Sequence, residues 1–343
     1  MSAKKEARLL ILTQRMSKIL SLVVETYVRT GQPVGSKKIC ELMKNSPSAA
    51  TVRNEMASLT ALGLLEQPHI SSGRVPSLDG YRFYVSFLMT NKVIADDEKS
   101  YILGMFNDVS FDPESIIKKS CSVLSNITNC LVAFVAPSVE DSFVKDIKFV
   151  KVGKRAVILI LVTSSGMVQN QIFNCDFEVN SKVLEMFKQF VKSEFLGRYF
   201  KDLEVDMQNI VVQKDLIIIP AFEAAVKAIK KICNLQVGIK GERFLFDFQK
   251  VSNAFEILDL IDKKQFSEFL FSSSNNIKIY IGNDCGMDVF SNCCIIVEKY
   301  NIGLHQGAIS IIGPTRLDYP NVIAKMRCVV RIIQELCFKI VNF

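Results

Sequence analysis

The first part of the chain carries the apolar periodicity of short helices separated by turn residues. Apolar side chains recur three and four positions apart over Leu12–Arg29, which predicts a helix, and Gly31 and Pro33 end that pattern. A second, shorter helix is predicted next, because the pair Gly35-Ser36 offers an N-cap for it.

A third helical pattern begins after Ser48 and is ended by Gly63. Val52, Met56 and Leu59 recur at i, i+4 and i+7, so they share one face of this helix. The opposite face carries small and polar side chains. The pattern predicts a helix that buries an apolar stripe and presents a slender polar face outward.

Two short extended segments follow, Leu64–Gln67 and Arg74–Pro76, and the polar loop Pro68–Gly73 joins them. Three short helices followed by a two-stranded hairpin are typical of a winged helix-turn-helix. In that arrangement the third helix enters the major groove of DNA, and the hairpin, or wing, contacts the flanking backbone.

After residue 100 the pattern changes to buried strands and longer helices. Helices are predicted over Pro113–Asn129 and near the C-terminus, where Met326, Ile333 and Leu336 share a stripe. Six strands are predicted at Leu131–Ala136, Ala156–Val162, Met167–Phe173, Ile277–Ile281, Cys293–Tyr300 and Gly307–Ile312. A single sheet flanked by helices fits these elements.

Between the two groups of strands, residues 179–276 carry mainly helical patterns. The predicted helices are a stripe from Leu184 through Phe195 that continues to Leu203, then Ala221–Ile232 and Ala254–Phe271. Their apolar faces either form core within one chain or are offered to a partner. The pattern alone leaves both possibilities open.

Charge and phenylalanine are divided unevenly along the 343 residues. Twelve basic and six acidic side chains lie in the first ninety residues, which therefore carry six of the seven net positive charges. Only two of the twenty-four phenylalanines lie there. A compact basic unit followed by a nearly neutral, apolar body indicates a polyanion-binding domain joined to a folded body.

Composition excludes several other classes of protein. An apolar share of 49% is too high for a disordered chain, and no unbroken apolar run approaches the roughly 20 residues of a membrane-spanning helix. We do not expect the polar segment Met1–Arg8 to be a signal peptide. We therefore expect a cytoplasmic protein with no membrane partner. The ten cysteines are scattered along the chain, and we expect them to be buried free thiols.

Catalytic patterns are missing from the sequence. The two histidines, His69 and His305, fall in different predicted units, and no phosphate loop, nucleophile elbow or metal-ligand spacing is present. We expect no cofactor, no metal and no enzymatic activity.

Thirteen candidate DNA-binding residues lie on the second helix, the third helix and the wing. They are Ser36, Lys37, Lys38, Ser48, Ala50, Thr51, Arg53, Asn54, His69, Ser71, Ser72, Gly73 and Arg74. Base readout is expected from Thr51, Arg53 and Asn54, since asparagine pairs with adenine and arginine with guanine or a phosphate. The alternative is that Arg53 and Asn54 are ordinary solvated helix residues.

Contacts to DNA phosphates are expected from Lys37, Lys38, Ser48 and Arg74. Ser48 stands at a helix N-terminus, where backbone N–H groups and the positive end of the helix dipole favour an anion. In the wing, Gly73 is expected to let the backbone come close to DNA.

Four stretches of sequence carry a resemblance to a known family. They are TGQPVGSKK (Thr30–Lys38), SAATVRNEMASL (Ser48–Leu59), LGLLEQPHISSGRVPSLDGYRFYV (Leu62–Val85) and IIGPTRLDY (Ile311–Tyr319). On these stretches the chain resembles the HrcA family of heat-inducible transcription repressors. It departs from the family at the wing tip, where Ile70 and Ser71-Ser72 replace a Thr-Ser-Ala type tip, and in Lys240–Phe248, which lacks an Asn-rich loop.

The resemblance implies an α+β fold with a winged helix-turn-helix over residues 1–90. A GAF-like α/β sheet domain is expected at 100–178 and 277–343, interrupted by an inserted dimerisation domain at 179–276. The implied function is a homodimer that binds double-stranded DNA at an inverted-repeat operator before chaperone operons, modulated by the chaperonin GroEL. The alternatives are a ligand-sensing winged-helix regulator of other genes and an RNA-binding winged-helix protein.

Overall fold

The computed structural model describes residues 12–43, 47–70, 72–109, 112–136, 142–164, 166–200, 202, 216–233, 237–247, 253–272, 276–302 and 305–341. Over these residues the fold is α+β, as predicted. A winged helix is followed by a body built on two antiparallel sheets.

The predicted winged helix, with three helices and a hairpin, is confirmed. It comprises α1 (Gln14–Thr30), α2 (Ser36–Leu42), α3 (Ala49–Ala61), β1 (Leu65–Glu66) and β2 (Val75–Pro76). The hydroxyl of Thr13 accepts the N–H of Met16 at 3.1 Å and caps the start of α1. Gly31, with φ +70°, ends that helix in the left-handed conformation that glycine favours. The two strands of the wing pair antiparallel.

Helices then lead into the body of the protein. They are α4 (Leu78–Phe83), which continues as a π-helical turn at Tyr84–Leu88, then α5 (Asp96–Gly104) and α6 (Pro113–Thr128). The body contains β3 (Leu131–Val135), β4 (Val144–Lys151), β5 (Ala156–Thr163), β6 (Val168–Asn174), α7 (Ser181–Phe195), α8 (Ile219–Cys233), β7 (Val237–Lys240), α9 (Glu242–Asp247), α10 (Ala254–Ile261), α11 (Lys264–Ser272), β8 (Lys278–Ile281), β9 (Cys293–Ile302), β10 (His305–Pro314) and α12 (Tyr319–Val341).

The larger sheet has the strand order β7–β3–β10–β9–β8, and each neighbouring pair is antiparallel. One face packs against α6, α12 and the winged helix, and the other packs against α9, α10 and α11. On β9, Ile296 belongs to the first of these clusters, whereas Ile295 and Val297 belong to the second. Both faces of this sheet are therefore covered by helices.

A second unit is inserted between two neighbouring strands of the larger sheet. Val135 on β3 pairs directly with Val237 on β7, so the chain leaves and re-enters the sheet at adjacent positions. The unit between them holds a three-stranded sheet, β4–β5–β6, with α7 and α8 packed on one face. Its buried residues form a hydrophobic cluster of their own.

The prediction of a single sheet is therefore wrong. The buried residues of β5, Val157, Leu159 and Leu161, pack with α7 and α8 and not with the larger sheet. Conversely, β7 pairs with β3, and α9 to α11 cover the larger sheet, although all four lie within the predicted insertion at 179–276. The packing thus divides the body at positions other than the predicted boundaries.

Two helix predictions also differ from the structure. The stripe through Phe195 does not continue, because Leu196 is extended and Gly197 has φ +75°. The segment predicted as one helix from Ala254 divides into α10 and α11, and both Ile261 and Phe266, on either side of the break, reach the larger sheet.

The winged helix is held against the larger sheet by Arg82 on α4. Its Nη2 donates to the carbonyl oxygen of Ile281 at 2.7 Å, and its guanidinium pairs with Asp79 at 2.9 Å and Asp284 at 3.0 Å. Arg82 thus joins α4 to the end of β8, and the core of the winged helix is continuous with one face of the larger sheet.

Candidate nucleic-acid interface

The third helix presents the outer face that the sequence predicts. Val52, Met56 and Leu59 are buried, while Arg53 and Asn54 are exposed to solvent. Ala50 is also exposed, and Thr51 is half-buried at the edge of this face. A helix with one buried apolar face and one exposed polar face can lie in a major groove while its apolar face stays packed in the protein.

Polar contacts cap the start of α3 and join the helix to α1. At its start, the exposed hydroxyl of Ser48 accepts the N–H of Thr51 at 3.1 Å and lies 2.9 Å from the hydroxyl of Thr51. Along the helix, Arg15 of α1 donates from Nε to the carboxylate of Glu55 at 2.6 Å. The side chain of Ser48 is thus engaged in capping, and its expected phosphate contact stays a prediction.

One open groove brings together residues from α2, α3 and the wing. Six of the predicted residues line it: Ser36, Lys37, Arg53, Ser72, Gly73 and Arg74. Val34 and Arg74 join two of its walls, since their backbones exchange two N–H to O hydrogen bonds of 2.9 Å. The bridge attaches the wing to the turn that precedes α2 and so sets the width of the groove.

The two neighbouring lysines of α2 have different surroundings. Lys37 is exposed and lines the groove. Lys38 is exposed as well, but its Nζ forms an ion pair with Glu41 at 2.8 Å. Of the two, Lys37 is the better placed to meet a phosphate.

Arg74 braces the wing against the third helix. Its side chain is half-buried, and its Nε donates to the hydroxyl of Thr60 at 3.0 Å. Thr60 in turn donates to the carbonyl oxygen of Met56 at 2.9 Å. This bracing role was not predicted, and the expected phosphate contact of Arg74 stays a prediction.

Gly73 is explained by a contact within the protein. A Cβ at this position would lie 2.5 Å from both the carbonyl carbon and the carbonyl oxygen of Val34, closer than real Cβ atoms approach. The close backbone approach that this glycine permits is therefore to Val34, within the bridge that holds the wing.

The tip of the wing is held by its own hydrogen bonds. The side-chain amide of Gln67 donates to the carbonyl oxygens of Ile70 at 2.7 Å and Ser72 at 3.2 Å, and the hydroxyl of Ser72 donates to His69 O at 2.7 Å. His69 and Ile70 are exposed. Ser71, also predicted to contact DNA, lies outside the described residues. Gln67 was missed because its role depends on the folded wing.

The described cysteines carry no disulfide, as predicted. Most of them are buried, whereas Cys40, Cys285 and Cys328 are only half-buried. Burial raises the pKa of the Cys121, Cys130 and Cys294 thiols well above the ordinary value. These thiols are therefore protonated and unreactive at neutral pH.

The described residues show neither a candidate metal site nor a candidate membrane span. In that part of the chain, histidine, cysteine and carboxylate side chains form no group of three that could hold a metal ion. No helix there has the length and apolar character needed to cross a membrane.

Family models match both parts of this architecture. A model described as "Winged helix-turn-helix transcription repressor, HrcA DNA-binding" matches residues 11–85, and "HrcA protein C terminal domain" matches residues 114–323. The chain belongs to the HrcA family of heat-inducible transcription repressors. The groove described above therefore lies on the DNA-binding winged helix of an HrcA-family repressor.

Relatives of the HrcA family match along nearly the whole chain. The protein named heat-inducible transcription repressor HrcA from Clostridium perfringens (strain SM101) is 31% identical, with 95% of this chain and 98% of the relative covered. That of Lysinibacillus sphaericus is 34% identical, with 92% and 94% covered. A crystal structure of a hypothetical protein shares the fold at a TM-score of 0.70 and 20% identity, covering 96% of this chain and 99% of that one.

Proposed function

We propose that this HrcA-family repressor binds an inverted-repeat operator before chaperone operons as a homodimer, with α3 in the major groove. The observation that supports this most directly is the groove in which α2, α3 and the wing bring Lys37, Arg53 and Arg74 together. Arg53 and Asn54 project from α3 toward bases, and Lys37 faces the backbone.

A homodimer fits this operator, because a two-fold protein presents two recognition helices in inverted orientation. The inserted unit supports pairing of two chains. The face of its sheet that α7 and α8 leave uncovered carries three exposed apolar side chains, Val150, Val168 and Ile172. Exposed apolar residues that share one face are typical of an interface.

Modulation by GroEL is the regulatory part of the proposal. Nearly all the phenylalanine lies in a body with almost no net charge, so partly folded molecules have little charge to keep them apart. We propose that the repressor competes with other misfolded proteins for GroEL and so reports the supply of free chaperonin. Quantitative refolding to full operator binding without GroEL would contradict this.

The decisive experiment is a footprint on the promoter of a chaperonin operon, with and without GroEL. We expect protection of two half-sites related by a two-fold axis. Asn54→Ala should lose about 1–3 kcal/mol of operator discrimination, and full discrimination by this variant would show that α3 is oriented differently. Competition with single-stranded RNA distinguishes the RNA-binding alternative.

The two lysines of α2 offer a matched test of the phosphate contacts. Lys37→Ala should weaken binding to all duplexes alike and reduce the salt dependence by about one counterion. Lys38→Ala should have a smaller effect, since Lys38 already pairs with Glu41. Equal effects of the two substitutions would argue against the groove as the phosphate-binding surface.

A further inference from the structure

A second groove lies where the DNA-binding unit joins the body. It has a volume of about 340 Å³ and is bounded by the linker at Asn91–Ile94, by α5 and by α12. None of the predicted DNA-binding residues lines it. Its size falls within the range of small-molecule sites in proteins.

Four cationic side chains line this groove. Lys92 comes from the linker, Lys99 from α5, and Arg327 and Arg331 from successive turns of α12. Arg327 and Arg331 are four residues apart, a spacing that places like charges side by side and destabilises a helix slightly. All four side chains are exposed, and none of them forms an ion pair within 4.0 Å in the part of the chain that the structure describes.

The side-chain hydrogen bonds that these cations make go to neutral asparagine groups. Arg327 donates from Nη1 to the side-chain oxygen of Asn91 at 3.3 Å, and Lys92 donates to that of Asn321 at 3.2 Å. The carboxylates on the groove wall, Asp96 and Glu335, pair with none of the four. The cations therefore keep most of their donors available for an external anion.

The floor of the groove is apolar. Ala324 and Ile332 of α12 are buried there, and Leu103 of α5 and Ile94 of the linker complete the lining. Val93, also on the wall, is 87% exposed. A cationic rim over an apolar floor suits a ligand that carries both an anionic group and a flat apolar part.

We propose that this groove binds a nucleoside phosphate, with the phosphates against Arg327, Arg331 and Lys99 and the base on the apolar floor. The groove wall is the linker that carries the winged helix, so a bound ligand ties the linker to α12. Thermodynamic linkage makes this coupling reciprocal. If the bound ligand changes the affinity for operator DNA by some factor, bound DNA changes the affinity for the ligand by the same factor. This coupling rests on the proposed DNA-binding function, whereas the ligand site does not.

The test is calorimetric titration of the full chain with ADP, inorganic phosphate and adenosine in the absence of DNA. We expect saturable binding of ADP, with phosphate and adenosine each at least tenfold weaker. Arg331→Ala and Lys99→Ala should each weaken ADP binding at least tenfold, and Arg331→Lys should retain part of it. Lys182→Ala, at an exposed lysine of α7 in the inserted unit, is the matched control and should bind ADP normally.

Three results would overturn the proposal: no saturable binding of ADP, unchanged binding in Arg331→Ala and Lys99→Ala, or equal loss in Lys182→Ala. Thermal unfolding of each variant checks that it is folded. Titration of the operator with and without ADP then measures separately whether ADP binding changes the affinity for DNA. ADP binding without an effect on operator affinity would retain the site and reject only its regulatory role.

Discussion

The two sheets of the body differ in how many of their faces are covered. In the five-stranded sheet, β9 is buried on both sides, so that its first five residues are all inaccessible. In the three-stranded sheet, β5 alternates between buried and half-buried residues, because α7 and α8 cover only one face. The five-stranded sheet is therefore a scaffold whose stability depends on packing on both faces. The three-stranded sheet keeps one face open to solvent, and that face is accessible for contact with another protein.

The largest effect that this comparison predicts concerns packing. Ile296 on β9 is fully buried, whereas Ile172 on β6 is 62% exposed. Ile296→Ala should lower the free energy of unfolding by about 2–5 kcal/mol, because it removes buried methyl groups and leaves a cavity. Ile172→Ala, the matched control, should change the free energy of unfolding of one chain by less than about 0.5 kcal/mol. Chemical denaturation measures both, and similar losses would show that the second sheet is covered on both faces.

The strands that could be predicted from sequence are those marked by an apolar run or a turn signal. Continuous apolar runs identified β5 and β9, and the polar turn residues between β5 and β6 identified their hairpin. By contrast, β4 was missed, since lysine and aspartate interrupt its apolar residues. The short β7 was missed as well, because four residues carry too little pattern and its place is set by pairing with β3.

The candidate DNA site was predicted as far as local pattern determines it. The spacing of Val52, Met56 and Leu59 fixed which face of α3 points outward. The hydrogen bond from Arg74 to Thr60 and the close approach of Gly73 to Val34 could not be predicted, because both depend on contacts between distant parts of the chain. The sequence indicated that a second unit is inserted into the body. It did not indicate where that unit begins and ends, because its boundaries are set by the pairing of β3 with β7.

The second prediction concerns one carboxylate in each sheet. Burial raises the pKa of Glu298 on β9 to about 7, against the opposing effect of Arg327 and Arg331, and its Oε2 has no hydrogen-bond partner among the described residues. The raised pKa means that the folded protein binds the proton of the Glu298 carboxyl group more tightly than the unfolded chain does. Protonation of Glu298 therefore stabilises the fold fully below about pH 4.5, and this stabilisation is lost as pH rises to about 7. Glu298→Gln should therefore be more stable than the parent above pH 7, by about 1–3 kcal/mol.

Asp146 on β4 provides the control of opposite sign. A hydrogen bond from Lys192, with an N–O distance of 2.9 Å, holds the pKa of Asp146 below its usual value. Its stabilising contribution is therefore present above the ordinary pKa of an aspartate and is lost in acid. Asp146→Asn should be slightly less stable than the parent at pH 7. Denaturation of both variants from pH 4 to pH 8 measures this, and stability changes of the same sign would contradict the assigned environments.

The smallest expected effect on stability is also the one that tests the role of the open sheet face. Ile172→Lys should leave the free energy of unfolding of one chain within about 0.5 kcal/mol of the parent, because the side chain is already largely in water. If two copies pair through this face, the same substitution places an unpaired charge in the contact and should shift the chain from dimer to monomer. Analytical ultracentrifugation measures the mass of the assembled protein.

Phe255→Lys, at a 74% exposed residue of α10 outside the inserted unit, is the control and should leave the dimer intact. A dimer that persists in Ile172→Lys, or that is lost equally in Phe255→Lys, would show that the chains pair through another surface.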